Sequence, residues 1–338
     1  MQDPFTPDEQ DLALVEALQV SPRAPWSAVA RTLGTSPATA ARRWQRLADA
    51  GLAWVTGAPG VRAWDGQCLA YAAVSCEPGR KLDVAAVLTA DPQALTVELT
   101  AGAADLLVTV AAADLAALSR YLLERLDRVP GVTGTHTRIA TRLWTEGSAW
   151  RLGVLGSEEV ATLPRPAGAP VPAAATGAVD RTLLGALARD GRASYAELAV
   201  AAGVSPATAR RRVERLIASG TVLLRTEVSA PLVGWPVAVV FSADAPAGQV
   251  GAMAAAVGRI RQVRLCATLA GAPSLIVIAW LRTVEEVHRF ELALLEAVPG
   301  LVIVDRLVVL RSLKRMGRLL DDSGRAVGVV PLAPWAAG

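Results

Sequence analysis

One phrase occurs twice in this chain, and the spacing of its two occurrences limits what the chain can fold into. "GTSPATAARRWQRLADAG" at residues 34–51 returns as "GVSPATARRRVERLIASG" at 203–220, with 11 identities in 18 positions at an offset of 169. That offset is half of the 338-residue length. The same register sets Asp11 opposite Asp180 and "RVPGV" at 128–132 opposite "AVPGL" at 297–301. A constant register over most of a chain this long implies two copies of one two-part unit rather than one large domain.

Composition narrows the class. Hydrophobic residues at 52% supply real cores, and 19% charged residues exclude disorder for most of the chain. The longest apolar run, "LIVIAWL" at 275–281, falls far short of the roughly 20 residues a membrane span needs. The acidic start "MQDPFTPDEQD" has no apolar core, so no secretory leader is expected and the chain reads as cytoplasmic. Cys68, Cys76 and Cys266 form no CxxC pair, and only His136 and His288 could serve a histidine-based site. Neither a metal, a cofactor nor a catalytic triad is therefore expected. With a net charge of +3, any nucleic-acid surface must come from local clustering of arginine.

The first half of each copy reads as three helices. Residues 8–20 and 180–190 are amphipathic, with Leu14, Ala17 and Leu18 matching Leu183, Ala186 and Leu187. The second helix of copy 2 opens with "SYAE", a capping box from Ser194 to Glu197, where copy 1 has "PWSA" and lacks the reciprocal cap. A glycine turn at Gly34 or Gly203 follows. The third helix then starts with Ser36 or Ser205 as its cap and proline at its first position, where a missing N–H costs nothing.

Helix, short helix, glycine turn, helix is a helix-turn-helix layout. Trp44 and Leu47, like Val213 and Leu216, can face inward, while Arg43 and Arg46, like Arg212 and Arg215, stand three apart on one side. The candidate DNA contacts are Ser36, Thr39, Arg42, Arg43 and Arg46 in copy 1. In copy 2 they are Ser205, Thr208, Arg210, Arg211, Arg212 and Arg215. Hydroxyls and arginines at a helix start suit phosphates and guanine edges. The plain alternative is a solvated basic face; the Ser-Pro start, the glycine turn and the duplication favour DNA. Beyond Gly51 and Gly220, "LAWVTGAPGVRAW" and "TVLLRTEVSAPLVGW" read as strand pairs of a wing, with Arg62 and Arg225 either at a phosphate or simply solvated.

From Leu69 the pattern becomes strand, helix, two strands, helix, strand, and copy 2 repeats it from "PVAVVFSA" onward. The expected fold class is α+β, with two winged helix-turn-helix domains and two ferredoxin-like βαββαβ domains in tandem. The expected boundaries are 1–66, 67–147, a connector at 148–178, 179–234, 235–320 and a tail at 321–338.

A helix-turn-helix carrying S-P-A-T-x-x-x-R-x-x-R-L followed by βαββαβ resembles the Lrp/AsnC family of transcriptional regulators, here as two complete copies covering about nine tenths of the chain. The resemblance implies double-stranded DNA as partner, a small-molecule effector such as an amino acid, and self-association of the βαββαβ domains into larger rings. It also places effectors near a G-x-x-D turn, matched here by Gly102 and Asp105; copy 2 keeps Gly271 but has Ser274 in the aspartate's place. Read from the residues alone, the glycines allow a tight turn and Asp105 caps it.

The segment 157–178 shows neither helical nor alternating periodicity and is dense in Pro, Ala and Gly. Fully extended it reaches roughly 70 Å, enough for the two sensor domains to pack sheet against sheet as an intramolecular counterpart of a dimer. Arg210 and Glu214 stand where copy 1 has Ala41 and Gln45, so an imperfectly palindromic site is expected. Two rival readings use the same layout. One is a tetrapyrrole-modifying enzyme resembling fused siroheme decarboxylases, against which the shortage of histidine stands. The other is a sensor or scaffold that has lost DNA binding.

Overall fold

Two aspartates set the start of the first helix. In the computed structural model, which describes residues 7–60, 67–164 and 176–332, Asp8 caps α1 (Glu9–Val20). Its carboxylate accepts from the Asp11 amide at 2.9 Å and the Asp11 carboxylate accepts from the Asp8 amide at 3.1 Å, so two orphan donors are satisfied at once. Helix α2 (Trp26–Thr32) begins at Pro25 without a side-chain cap. Helix α3 (Pro37–Asp49) begins at Ser36, whose hydroxyl accepts from the Thr39 amide at 3.1 Å. Gly34, at φ +61°, makes the turn between them. Strand β1 (Ala53–Pro59) follows.

The chain then runs β2 (Cys68–Cys76), α4 (Lys81–Thr89), β3 (Ala94–Ala101) and β4 (Leu106–Ala112). Helix α5 (Leu115–Arg120) continues as a π-helical turn, Tyr121–Leu126, before β5 (Val132–Thr145). A short α6 (Ser157–Thr162) precedes the second copy. That copy comprises α7 (Ala178–Arg189), α8 (Tyr195–Ala202), α9 (Pro206–Ala218) and β6 (Val222–Val228), then β7 (Val237–Asp244), α10 (Val250–Val257), β8 (Val263–Leu269) and β9 (Leu275–Leu281). Helix α11 (Glu286–Ala297), β10 (Val302–Arg315), β11 (Arg318–Leu320) and β12 (Ala326–Val329) complete it.

These elements gather into two units: of the described residues, 7–60, 151–164, 176–232 and 325–332 belong to one, and 67–150 and 233–324 to the other. The first unit holds both helix-turn-helix modules. The capping box of α8 is present, with the Ser194 amide donating to Glu197 at 2.7 Å and the Glu197 amide donating to Ser194 at 3.2 Å. Among the described residues no wing hairpin is seen, and the return segment expected in copy 1 at 61–64 lies outside them. Each copy contributes one strand, and β1 pairs antiparallel with β6 from Ala53 opposite Val228 to Pro59 opposite Val222. In copy 2 a return strand is pre-empted by Pro231, which opens a 3-10 turn at Pro231–Val233. Arg62 lies outside the described residues.

The connector also departs from expectation. Helix α6 forms in a stretch without visible periodicity because six residues are too few to show it, while Glu159 accepts from the Gly156 amide at 2.7 Å and two glutamates sit in its first turn. Just before it, the buried Glu16 carboxylate accepts the amides of Gly153 at 3.1 Å and Leu155 at 2.8 Å, so this part of the connector is held down. Residues 165–175 of the connector lie outside the described residues. The tail is not featureless either: β12 lies at 326–329, and the Ala326 amide donates to the Gly51 carbonyl at 2.8 Å.

The second unit joins the two βαββαβ copies through their strands. The hydrogen-bonded order is β11-β10-β3-β4-β2-β5-β8-β9-β7, and β7 returns to β10. Eight strands, four from each copy, thus form a closed sheet. Strand β5 of copy 1 pairs with β8 of copy 2, and β10 of copy 2 pairs with β3 of copy 1. The expected face-to-face contact of two sheets is therefore an edge-to-edge closure on both sides, so that each of these eight strands pairs with two of the others. Each copy keeps its own apolar core under its helices, with Val74, Leu88 and Leu106 in one and Phe241, Val277 and Leu294 in the other.

Candidate nucleic-acid interface and small-molecule site

The recognition-type helices are seated by their apolar sides. Ala40, Trp44 and Leu47 of α3, and Ala209, Val213 and Leu216 of α9, are buried. The opposite sides carry the cations, and the structure divides these into two kinds. Arg43 donates to Asp8 at 2.9 Å and to Asp11 at 2.8 Å, with Arg46 3.8 Å from Asp11. Arg212 and Arg215 reach Asp180 at 3.0 and 2.8 Å. Both Asp11 and Asp180 are buried at 1% exposure, so these arginines brace the third helix against the first. The hydrogen bonds from Arg43 to Asp11 and Asp8 raise its pKa further.

Arg42 and Arg211 are exposed, and among the described residues no side chain pairs with either. Arg210, also exposed, pairs with Glu214 four residues on at 2.8 Å. The exposed cap hydroxyls lie six residues before Arg42 and Arg211: Ser36 is 2.9 Å from the Thr39 hydroxyl, and Ser205 is 3.0 Å from that of Thr208. A shallow depression of about 230 Å³ is lined by Arg211, Arg212 and Arg215. Arg225 is not on this surface. It is buried in β6 and ion-paired with Glu227, two residues along the same strand face, a spacing that a strand reading contains.

At the predicted effector turns, Asp105 and Ser274 do the same local work. The Asp105 carboxylate accepts from the Cys76 amide at 2.8 Å, and the Ser274 hydroxyl accepts from the equivalent Ala245 amide at 3.1 Å. Asp105 also pairs with Lys81 at 2.5 Å, and that hydrogen bond holds its carboxyl below the usual range. Copy 2 replaces both partners, with Val250 in place of the lysine. Gly102 and Gly271 take φ +138° and +109°. A Cβ at Gly102 would lie 2.6 Å from the Leu307 side chain and 3.2 Å from the Arg306 carbonyl, whereas nothing lies within 4 Å of one at Gly271.

The residues that sequence reasoning missed are the paired Arg23 and Arg192, which bind across to each other's copy, and the set around His136. His136 and Arg138 are on β5 opposite Ala73 and Tyr71 of β2, hence on the face turned away from the helices. Among the described residues no cluster of three His, Cys, Asp or Glu side chains could hold a metal, and no helix is long and apolar enough to cross a membrane.

Against known proteins, residues 8–48 and 178–217 match the AsnC-type helix-turn-helix domain, and 69–150 and 241–319 match the Lrp/AsnC ligand binding domain. The chain is 28% identical over 145 residues to the HTH-type transcriptional regulator PH0140 of Pyrococcus horikoshii, covering 42% of this chain and 90% of that protein. It is 27% identical over 140 residues to the HTH-type transcriptional regulator FL11 of the same organism, covering 41% of this chain and 92% of that one. Each relative thus spans about one of the two copies. A solved structure of the siroheme decarboxylase NirDL, in complex with an iron-uroporphyrin III analogue, is similar over 91% of this chain and 93% of its own, with a TM-score of 0.59 and 13% identity. At that identity the likeness shows a shared fold.

Proposed function

Since the chain belongs to the Lrp/AsnC family of transcriptional regulators, in two tandem copies, we propose that it binds operator DNA through α3 and α9. A small molecule, an amino acid or related metabolite, adjusts that binding through the βαββαβ pair. One observation carries the reading: two seated helices each present an exposed serine cap and, three residues apart in the sequence, a threonine and an exposed arginine that among the described residues has no protein partner. Ser36, Thr39 and Arg42, with Ser205, Thr208, Arg210 and Arg211, meet the duplex. Arg43, Arg46, Arg212 and Arg215 hold the helices at the angle this requires. The two copies act as an intramolecular pseudo-dimer in the cytoplasm, and their differences make the preferred site an imperfect palindrome.

Fluorescence anisotropy on DNA from upstream of the chain's own gene, against a scrambled duplex at physiological salt, tests this. Preference for the native fragment by about 10³-fold or more supports a specific regulator. Equal, weak binding to both duplexes removes it.

A second reading is favoured by the full-length likeness to NirDL, which includes the tandem arrangement. In it the closed sheet binds a tetrapyrrole and the chain is an enzyme. Against this, His136 of copy 1 is matched by Asp305 in copy 2, so the second copy supplies no equivalent imidazole. Titration with siroheme decides: an absorbance shift saturating at one equivalent supports the enzyme, and an unchanged spectrum eliminates it.

A further inference from the structure

Arg210 differs from the other paired arginines of the third helices in which of its nitrogens is engaged. Its Nε donates to the Glu214 carboxylate, four residues on, at 2.8 Å. Among the described residues its two terminal nitrogens make no hydrogen bond. The bracing arginines are engaged the other way round: Arg43 reaches Asp11 through Nη1, and Arg212 and Arg215 reach Asp180 through Nη1 and Nη2. The Arg210 guanidinium also lies 5.9 Å from the centre of the Tyr195 ring, which Arg23 of copy 1 approaches to 4.8 Å. Carboxylate and ring together restrict an otherwise exposed side chain, while the fork at its end stays open.

A fork held in this way matches one base edge. Guanine presents O6 and N7 side by side in the major groove, and two parallel terminal N–H groups bond both at once. Holding the guanidinium beforehand reduces the side-chain freedom lost on binding. A phosphate suits it less, because the Glu214 carboxylate would be carried toward a second negative charge. Arg210 is the fifth residue of α9, within the first turns that a recognition helix points at base edges.

Copy 1 has no counterpart. Ala41, Gln45 and Trp26 occupy the equivalent positions, and the Gln45 amide donates to Asp49 at 2.7 Å. A methyl group at position 41 can touch a thymine methyl but cannot bond to guanine. We propose that Arg210 reads a guanine in the half-site of copy 2, that Glu214 positions it, and that the half-site of copy 1 does not select guanine at the equivalent place. This rests on the reading of α3 and α9 as operator-binding helices, and adds which side chain makes the half-sites differ and at which base.

Selection of bound duplexes from a random library by the full natural chain and by Arg210→Ala tests this. Anisotropy then compares the selected duplex with one in which that G·C pair is A·T, for the natural chain, Arg210→Ala and Glu214→Ala. The expected consensus has guanine at one position of a single half-site, with a preference of about 5- to 150-fold for G·C over A·T. Arg210→Ala abolishes that preference and evens the two half-sites there, and Glu214→Ala lowers it. Guanine selected alike in both half-sites, another base at that position, or a preference that survives Arg210→Ala overturns the proposal. So does an Arg210→Ala loss that falls equally on both duplexes and lowers the salt slope by about 1, which marks a phosphate contact. A preference unchanged by Glu214→Ala overturns the positioning role. An enriched but symmetric site ends this proposal and leaves the operator reading standing; no enriched sequence at all ends both.

Discussion

Arg23 and Arg192 occupy equivalent positions of the two copies, and each grips the other's copy. Arg23 donates to the carbonyls of Gly191 at 2.8 Å and Ala193 at 2.9 Å, and Arg192 donates to those of Pro22 at 2.6 Å and Ala24 at 3.0 Å. Each guanidinium also lies over the aromatic ring that opens the other copy's second helix, Arg23 4.8 Å from Tyr195 and Arg192 4.0 Å from Trp26. Together with the β1–β6 pairing, this lock makes the two helix-turn-helix modules one unit. Burial, then the nearby Arg23 charge, lowers the Arg192 pKa to about 10.

Each arm of the lock combines two charge-assisted hydrogen bonds with a stacked ring. Arg23→Ala and Arg192→Ala are each expected to cost about 2–3 kcal/mol, read from urea unfolding of the full chain. Arg192→Lys is expected to behave like the alanine variant, since a single ammonium cannot span two carbonyls as a planar fork does. The double variant should cost less than the sum, because either loss already loosens the shared contact.

Asp180 is the single carboxylate behind two recognition-helix arginines. Asp180→Asn removes a buried charge from Arg212 and Arg215 and is expected to cost about 2–3 kcal/mol, less than a fully buried pair because both arginines are partly solvated. Glu214→Gln breaks only an exposed pair with Arg210 and is expected to change stability by less than about 0.5 kcal/mol. Thermal melts of the two variants side by side check the contrast.

Lys314 gives the second unit a pH dependence of its own. It is fully buried on β10, donates to the Asp91 carbonyl at 2.7 Å, and burial pulls its ammonium from 10.5 down to about 8. Between those values the unfolded chain holds more protons than the folded one, so stability rises with pH across that window. Compared with Lys314→Met, the natural chain is expected to gain about 2–3 kcal/mol from pH 7 to pH 10.5, checked by denaturant titrations at each pH. A flat difference between the two proteins contradicts the assignment.

What could be read from the sequence was what is decided locally. The serine caps at Ser36, Ser194 and Ser205 accept from backbone amides three residues on, and the βαββαβ order follows from periodicity within each segment. The partner of β1 was not legible, because an edge strand's choice depends on a strand 169 residues away. Nor was the closure of eight strands, since each sheet alone reads the same whether its edges are free or paired. Asp11 and Asp180 were visible as a repeat match, but a repeat match does not say that a carboxylate is buried behind arginines. His136 and Asp305 line one cavity only once the two copies are brought together, which the pattern of neither copy shows by itself.

The two effector-turn glycines separate backbone strain from crowding. Gly102→Ala and Gly271→Ala both force a side chain into a positive-φ backbone, costing about 1 kcal/mol each. Only at Gly102 would the new methyl also strike Leu307 and the Arg306 carbonyl, adding about 1–3 kcal/mol of overpacking. Urea midpoints are expected to fall further for Gly102→Ala, and equal shifts would show that the turn and β10 are not in contact.

Arg42 and Arg211 offer the sharpest test of the division among the recognition-helix cations. Both are exposed, and among the described residues neither has a protein partner to satisfy, so replacing either with glutamine should leave folding stability within about 0.5 kcal/mol. If they meet phosphates, each replacement weakens binding to native and scrambled duplexes alike and lowers the slope of log affinity against log salt by about 1. If either reads a base edge instead, the loss falls on the native duplex, about 1–3 kcal/mol of discrimination, and the salt slope changes little. Arg212→Gln provides the contrast. Because that arginine already neutralises Asp180, its loss is expected to lower stability first and to leave the salt slope of the remaining folded protein nearly unchanged. Anisotropy titrations at four salt concentrations, run on the three variants with both duplexes, distinguish these outcomes. A full unit of slope lost with Arg212→Gln would mean that the buried aspartate releases its arginine when DNA arrives.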